Sequence, residues 1–340
     1  MGGEITPQKL SQILEAEGVR LFSTVPCVDY PDAERRYEQW VRERRYGSME
    51  YLASHSGLKY RPARILKGCR SILLIGVPYY CGEKPKEKNA ASAAGSSGQA
   101  AWYATGRDYH KTLKGILKRI IRRLSESCPD DEFRPFVDSG PLDERLYAAG
   151  SLGFIGRHGL LISPRYGSRF FLGEILTTAA LPEVRPKGKE TSAAKQPGGL
   201  CPESCRSCID ACPTGALGGR GSADTREAGP RFNPQHCISY LTIEYAGEIP
   251  KELGRLIGER IFGCDTCQDV CPLNREGEER AREEAPEDFL RPVAGRRISL
   301  EEISALKDRE EMTRRFAGSP LMRCSLEQLK RNASIVAENT

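Results

Sequence analysis

Thirteen cysteines stand in a chain of 340 residues, and eight of them fall between 201 and 271. Cys201, Cys205, Cys208 and Cys212 run directly into Pro213; Cys237 stands alone; Cys264, Cys267 and Cys271 run into Pro272. The opening MGGEITPQKLSQILEAEG has no apolar signal stretch and reads as an ordinary first helix, so no export signal is expected there. The longest apolar runs, Ser71 to Pro78 and Phe170 to Leu176, fall short of the roughly 18 to 20 residues of a membrane-spanning helix. The expected compartment is therefore the cytoplasm, away from membranes, where clustered thiols bind metal in preference to forming disulfides. With 39% hydrophobic residues the chain can build an ordinary core, over two domains or one large one. A net charge of +5 permits an anionic partner without identifying one.

Both cysteine groups share the pattern C-x2-C-x3-C-P, which resembles bacterial two-cluster ferredoxins, where three cysteines of a run hold one [4Fe-4S] cubane and the fourth crosses to the other. Carried over, that resemblance assigns Cys201, Cys205, Cys208 and distant Cys271 to one cluster, and Cys212, Cys237, Cys264 and Cys267 to the second. The gap between Cys201 and Cys205 has three residues where the ferredoxin run has two, which puts weight on the identity of that first ligand. C-x3-C-x2-C is also the spacing of radical enzymes that bind S-adenosylmethionine, but those lack a second cysteine group. Two four-cysteine zinc sites would use the same ligand count without needing the crossing pattern. Cys27, Cys69, Cys81, Cys128 and Cys324 read as buried or spare thiols.

Ahead of the cysteines, helix-like and strand-like segments alternate. Ser71 to Pro78 (SILLIGVP) predicts a buried strand, with weaker strands at Glu132 to Val137, Leu160 to Ser163 and Arg169 to Thr177. After Asp108, apolar residues from Leu113 to Leu124 recur at helical steps and leave Lys111, Lys114, Lys118, Arg119, Arg122 and Arg123 on the other side, a basic face that is ordinarily solvated surface. Gly82 to Ala101 and Arg185 to Gly199 are rich in Gly, Ala, Ser and Lys and predict loops, the first a possible lid, the second a linker. Ser299 and Glu302 predict a capping box opening a helix at SLEEISALK. The expected organisation is α+β: an α/β domain over 1–184, a linker at 185–200, a ferredoxin-like domain with two [4Fe-4S] clusters over 201–280, and a short helical tail over 281–340.

No G-x-G-x-x-G and no phosphate loop can be read in the first half. It carries instead YGSMEYL (46–52), YATGRDYHK (103–111), VDSGPLDERLYA (137–148), LGFIGRHGLLI (152–162) and GSRFFLGEILT (167–177). With CISYLTIE (237–244), GCDTCQDVCPLN (263–274) and RNASIVAEN (331–339), these motifs resemble the epoxyqueuosine reductase family in order and spacing from about residue 46 onward. The resemblance implies a cobalamin-dependent enzyme with two [4Fe-4S] clusters that reduces epoxyqueuosine to queuosine in tRNA; an external low-potential electron donor and a monomeric chain are expected beside it. It implies that Asp138 of V-D-S-G-P donates the proton to the departing oxygen. For that role its pKa would have to be lifted from about 4 by burial beside the corrin; the bland alternative is that Asp138 caps a helix. Arg61, Tyr103, Asp108, His110, Ser163, Ser168 and Gly173 are the expected cobalamin contacts, each with a fold-supporting alternative: Asp108 as a helix cap, His110 as a satisfied first-turn histidine, Gly173 as room for a neighbour. Without D-x-H-x-x-G, cobalt is expected to lack a protein imidazole.

Two features depart from familiar members. The chain has only a short tail where they carry helical repeats that grip tRNA, and Thr105 stands where a basic residue is expected. A corrinoid reductase of a small molecule, akin to reductive dehalogenases, and a carrier that never touches substrate are the competing functions.

Overall fold

The computed structural model describes residues 5–79, 96–185, 198–218 and 232–340. Its strands are β1 (Leu21–Pro26), β2 (Ser71–Pro78), β3 (Ser97–Ala100), β4 (Phe133–Val137), β5 (Phe154–Ile155), β6 (Leu161–Ile162), β7 (Phe170–Thr177), β8 (Arg260–Phe262) and β9 (Arg297–Ser299). The main sheet has the order β1-β2-β7-β4, and every pair in it is antiparallel. The alternation of helix and strand in sequence therefore does not make a parallel α/β layer; the architecture is mixed α+β.

β2 is buried along its whole length because both sheet faces are covered. Leu73, Ile75 and Val77 enter a core with Leu113, Leu117, Ile120 and Leu124 of the helix Tyr109–Ser127, whereas Ile72 and Leu74 enter the opposite core with Leu142, Tyr147 and Tyr166. Period-2 alternation in the strand and the 3.6-residue period in the helix thus meet on one face. Each fully buried aliphatic side chain contributes about 1.5–3 kcal/mol. Asp108 caps the helix, its carboxylate accepting from the His110 N–H at 3.1 Å. On the basic face Arg119 and Arg123 are ion-paired to Glu17, so part of that charge is neutralised within the fold.

The third core joins the tail to the cysteine segment. Phe262, Ile298, Ile303, Met312, Phe316, Leu329 and Val336 pack together with Ala100 and Ala104. β3 pairs in parallel with β8 and antiparallel with β9, so a segment expected to be loop supplies the central strand of a small sheet. Of that loop, 82–95 lies outside the described residues, as does 186–197 of the expected linker. Ser299 accepts from the Glu302 N–H at 3.2 Å and opens the helix Leu300–Ala305 as its spacing predicts.

The sequence motifs interlock. Tyr240 of CISYLTIE meets Ser48 of YGSMEYL, its hydroxyl accepting from the Ser48 N–H at 2.9 Å. Asn332 of RNASIVAEN is fully buried and donates to the Thr242 and Ile261 carbonyls at 2.8 and 2.9 Å. Asn274, just past Cys271, accepts from the Ser168 N–H at 2.6 Å and fixes GSRFFLGEILT against the cysteine loop. Thr105 is buried, and its carbonyl accepts from the Val293 and Ala294 N–H groups; its side chain serves the fold rather than the surface. Among the described residues no helix is long and apolar enough to cross a membrane.

Candidate active site and cluster loops

Asp138 follows β4 directly and does not cap the next helix; Asp143 does, accepting from the Leu146 N–H at 3.3 Å. The Asp138 carboxylate is thereby left for other partners. His110 Nε2 lies 2.5 Å from its Oδ1, and the Tyr109 hydroxyl donates to Oδ2. On the other side of the imidazole, Nδ1 lies 3.0 Å from Asp108 Oδ1. Each imidazole nitrogen thus faces a carboxylate oxygen, an arrangement that favours the protonated ring.

The electrostatics agree. Burial pushes the Asp138 carboxyl up, but the hydrogen bond and charge of His110, the Tyr109 hydroxyl and the Arg323 guanidinium together hold it below the usual carboxylate range. Burial alone would lower His110; hydrogen bonds to Asp108 and Asp138 raise it above its ordinary value despite the nearby Arg323. The chain's own groups thus favour the ionised carboxylate of Asp138 and the protonated ring of His110, whereas the role in proton donation asks for a raised Asp138 pKa. With 40% of its side chain exposed against 10% for His110, Asp138 is the member that meets an incoming molecule.

Asp138 opens on a cleft of about 230 Å³ walled by Leu160, Leu161, Phe170, Phe171 and Leu172, with Ser168 and Arg145 at its polar edges. Tyr109 stacks on Phe171 at 4.2 Å between ring centres, and Tyr103 meets Tyr109 edge-on at 6.2 Å. Asp108, His110, Asp138, Tyr103 and Ser168 are therefore gathered in one region. The other three expected contacts have partners within the fold, and Gly173 pairs with Val137 beside Asp138. Arg61 is bound to Glu34 and Asp29 beside the helix Pro31–Arg42. The Ser163 hydroxyl accepts from the Tyr166 N–H at 3.0 Å within a turn. A Cβ on Gly173 would lie 3.2 Å from Ile75 and 3.4 Å from Leu117, so this glycine gives the helix room against the sheet.

Two site residues escaped the sequence reading. Tyr109 was overlooked between Asp108 and His110, although it belongs to the same motif. Arg323 comes from the turn Pro320–Arg323, 213 residues beyond His110, and places Nη2 2.5 Å from the imidazole nitrogens. No local pattern marks it.

The cysteines form two groups. Cys201, Cys205, Cys208 and Cys271 line one cavity with Arg157 and His158. Burial pushes Cys208 up to about 12, and Cys201, Cys271 and Cys205 add to the effect. Cys267 is raised by burial and then by Cys264 and Cys237, with smaller effects of Cys208 and Cys212. Cys237 likewise rises by burial and feels Cys264 and Cys212. Cys201, Cys205, Cys208 and Cys271 thus share one cavity, while Cys212, Cys237, Cys264 and Cys267 interact electrostatically; among the described residues no group of three or more ligating side chains stands at metal-binding distance as placed. Thiols that burial keeps protonated are released as thiolates by a cation, so these donor sets suit iron. Of the remaining cysteines, Cys324 is buried with its thiol donating to the Thr242 carbonyl at 3.3 Å, and Cys81 lies outside the described residues.

Comparison with known proteins converges on one family. A family model described as a 4Fe-4S double cluster binding domain matches residues 201–274, and one described as epoxyqueuosine reductase QueG, DUF1730, matches 59–139. The chain is 34% identical over 334 residues to the epoxyqueuosine reductase of Pseudomonas aeruginosa, covering 97% of this chain and 85% of that protein. It is 37% identical over 317 residues to that of Aliivibrio fischeri, covering 92% and 77%. A crystal structure of an epoxyqueuosine reductase with an epoxyqueuosine-modified tRNA-Tyr stem loop superposes with a TM-score of 0.78 at 26% identity, covering 98% of this chain and 80% of that one. The Bacillus subtilis epoxyqueuosine reductase, caught with an aspartate-bearing catalytic loop swung out of its active site, superposes equally well, with a TM-score of 0.78 at 25% identity, covering 98% and 81%.

Proposed function

The chain belongs to the epoxyqueuosine reductase family and is an oxidoreductase with two [4Fe-4S] clusters acting on epoxyqueuosine in tRNA, and we propose that Asp138 delivers the proton that the departing epoxide oxygen requires. Losing an epoxide oxygen as water takes two electrons and two protons. The clusters and a cobalamin in the cleft would supply the electrons, a low-potential donor refilling them. The apolar walls from Leu160, Phe170 and Leu172, with the Asp138 and Glu144 carboxyl groups and Arg145 also in the lining, suit the flat face of a corrin. We assign 1–184 to the cobalamin, 201–280 to the clusters and 281–340 to bracing both, in the cytoplasm where tRNA is modified.

The observation that carries this reading is the contact of Asp138 with His110. Asp138 lines the cleft, and His110 lies with one ring nitrogen against Asp138 and the other against Asp108. As charge develops on the oxygen, Asp138 passes a proton forward while His110 refills it, and Asp108 steadies the imidazole. Tyr109 and Arg323 fix the carboxylate and ring and compensate their charge. General acid catalysis of this kind contributes about 10²–10⁴ in rate.

The test is anaerobic incubation of an epoxyqueuosine-modified stem loop with the chain, cobalamin and a strong reductant, followed by nucleoside mass spectrometry. Queuosine should form with the natural chain and not with Asp138→Ala, at unchanged iron and cobalamin content. Equal turnover by both would remove Asp138 from the mechanism.

A further inference from the structure

His158 sits in the turn between β5 and β6, with 7% of its surface exposed. Its Nδ1 accepts from the Leu160 N–H at 3.1 Å. A nitrogen that accepts carries no proton, so the ring is neutral and its single N–H is on Nε2. That Nε2 is buried and has no hydrogen-bond partner among the described residues. Leaving such a donor unmatched in the interior is unfavourable. The residue lines the cavity whose other walls are Cys201, Cys205, Cys208 and Cys271.

The turn is built to hold this pose. The Gly156 N–H donates to the Leu160 carbonyl at 2.8 Å, closing it. A Cβ on Gly156 would stand 3.0 Å from His158 Cε1 and 2.6 Å from Ile162 Cδ1, so the glycine lets the ring pack closely without displacing either. The neighbouring Arg157 ties the same turn to the first cysteine loop, donating from Nη2 to the Glu203 carbonyl at 2.9 Å.

We propose that His158 donates its Nε2–H to a sulfur of the cluster held by Cys201, Cys205, Cys208 and Cys271, and so raises the reduction potential of that cluster relative to the other. The inference rests on the first cysteine group holding a cubane. A hydrogen bond to cluster sulfur stabilises the reduced state, which carries one more negative charge. Loss of a single neutral donor should change the reduced-to-oxidised ratio at fixed poise about tenfold, equal to about 59 mV for a one-electron couple. His158 is a tuning residue delivered from the β5–β6 hairpin, whose Leu160 and Leu161 also line the Asp138 cleft.

The test uses the anaerobically purified full chain with both clusters and needs no turnover. Redox titration followed by EPR should show one of the two potentials falling in His158→Leu, the other unmoved, and recovery in His158→Gln, whose amide N–H reaches a similar position. Pulsed EPR of the reduced natural chain labelled with 15N-histidine should show a weak nitrogen coupling that His158→Gln removes. This measurement decides the matter even where His158→Leu fails to fold. Unmoved potentials at full iron content, or no histidine coupling in the natural chain, would overturn the role of His158 while leaving the clusters in place. A natural chain without iron would overturn the cluster reading itself.

Discussion

Replacing Asp138 by Asn separates the electrostatic role of this side chain from its shape. Asn fills the same volume but carries no charge for the His110 ring 2.5 Å away and has one acceptor oxygen where Asp138 presents one to His110 and one to Tyr109. A hydrogen bond to a charged group contributes about 1.5–3 kcal/mol when buried; with 40% of the Asp138 side chain exposed, screening reduces this to about 1 kcal/mol. Global stability should therefore fall by about 1 kcal/mol at pH 7, measured by urea unfolding. The rate of queuosine formation should fall about 10²–10⁴, the range of a lost general acid. The His110 titration, followed by NMR of histidine-labelled chain, should move down toward or below its ordinary value because one of the two carboxylates that raise it is gone. The pH windows follow from the signs. His110, raised in the fold, contributes stability below its unfolded pKa that disappears as pH rises through the folded value. Asp138, lowered in the fold, contributes stability above the carboxylate range that disappears as pH falls through its folded value. Asp138→Asn should flatten both limbs. A rate within fivefold of the natural chain, or an unmoved His110 titration, would refute the paired-proton reasoning.

Other perturbations probe the frame. Gly167 has φ +61° and a Cβ there would stand 2.2 Å from Asn274 Oδ1, so Gly167→Ala should destabilise by about 2 kcal/mol or more and release Ser168 from the Cys271 loop, read by urea unfolding and by iron retention. Glu174 is 2% exposed, its Oε2 has no partner among the described residues, and burial with nearby Glu144 drives its pKa well up. A carboxyl whose folded pKa is raised loses stability as pH climbs above its unfolded value, so Glu174→Gln should leave stability nearly unchanged at pH 5 and increase it at pH 9, checked by thermal unfolding at both. Affinity for a tRNA stem loop should fall steeply with salt, measured by anisotropy from 50 to 200 mM, a range chosen because phosphate contacts lose affinity there by orders of magnitude.

What could be read in advance follows a physical division. The cysteine groups were legible because cluster ligation is written in local spacing, and the helix Tyr109–Ser127 and β2 because their periods are strong over many residues. β3, β8 and β9 were not, since SGQA, RIF and RIS are too short and polar to announce strands; they exist because 97–100, 260–262 and 297–299 pair across the chain. The antiparallel sheet was hidden for the same reason, since order in sequence does not fix direction. Within the site, Asp138 stood out by its motif, and the lack of a helix to cap is visible only once Asp143 takes that role. Its lowered pKa depends on His110 and Arg323 arriving from distant segments. Arg61, Ser163 and Gly173 show that residues read as cofactor contacts also have partners within the fold, in an ion pair, a turn and a helix-to-sheet contact.

The account turns on one molecule uniting two iron-sulfur clusters with the Asp138 cleft for a single reaction. Anaerobic single-turnover conversion of an epoxyqueuosine-modified stem loop, with iron and cobalamin quantified in the same sample, tests this most directly. The predicted result is queuosine in proportion to chain carrying about eight iron atoms and one cobalamin. Fully loaded chain that binds the stem loop, accepts electrons and leaves the epoxide intact would contradict it.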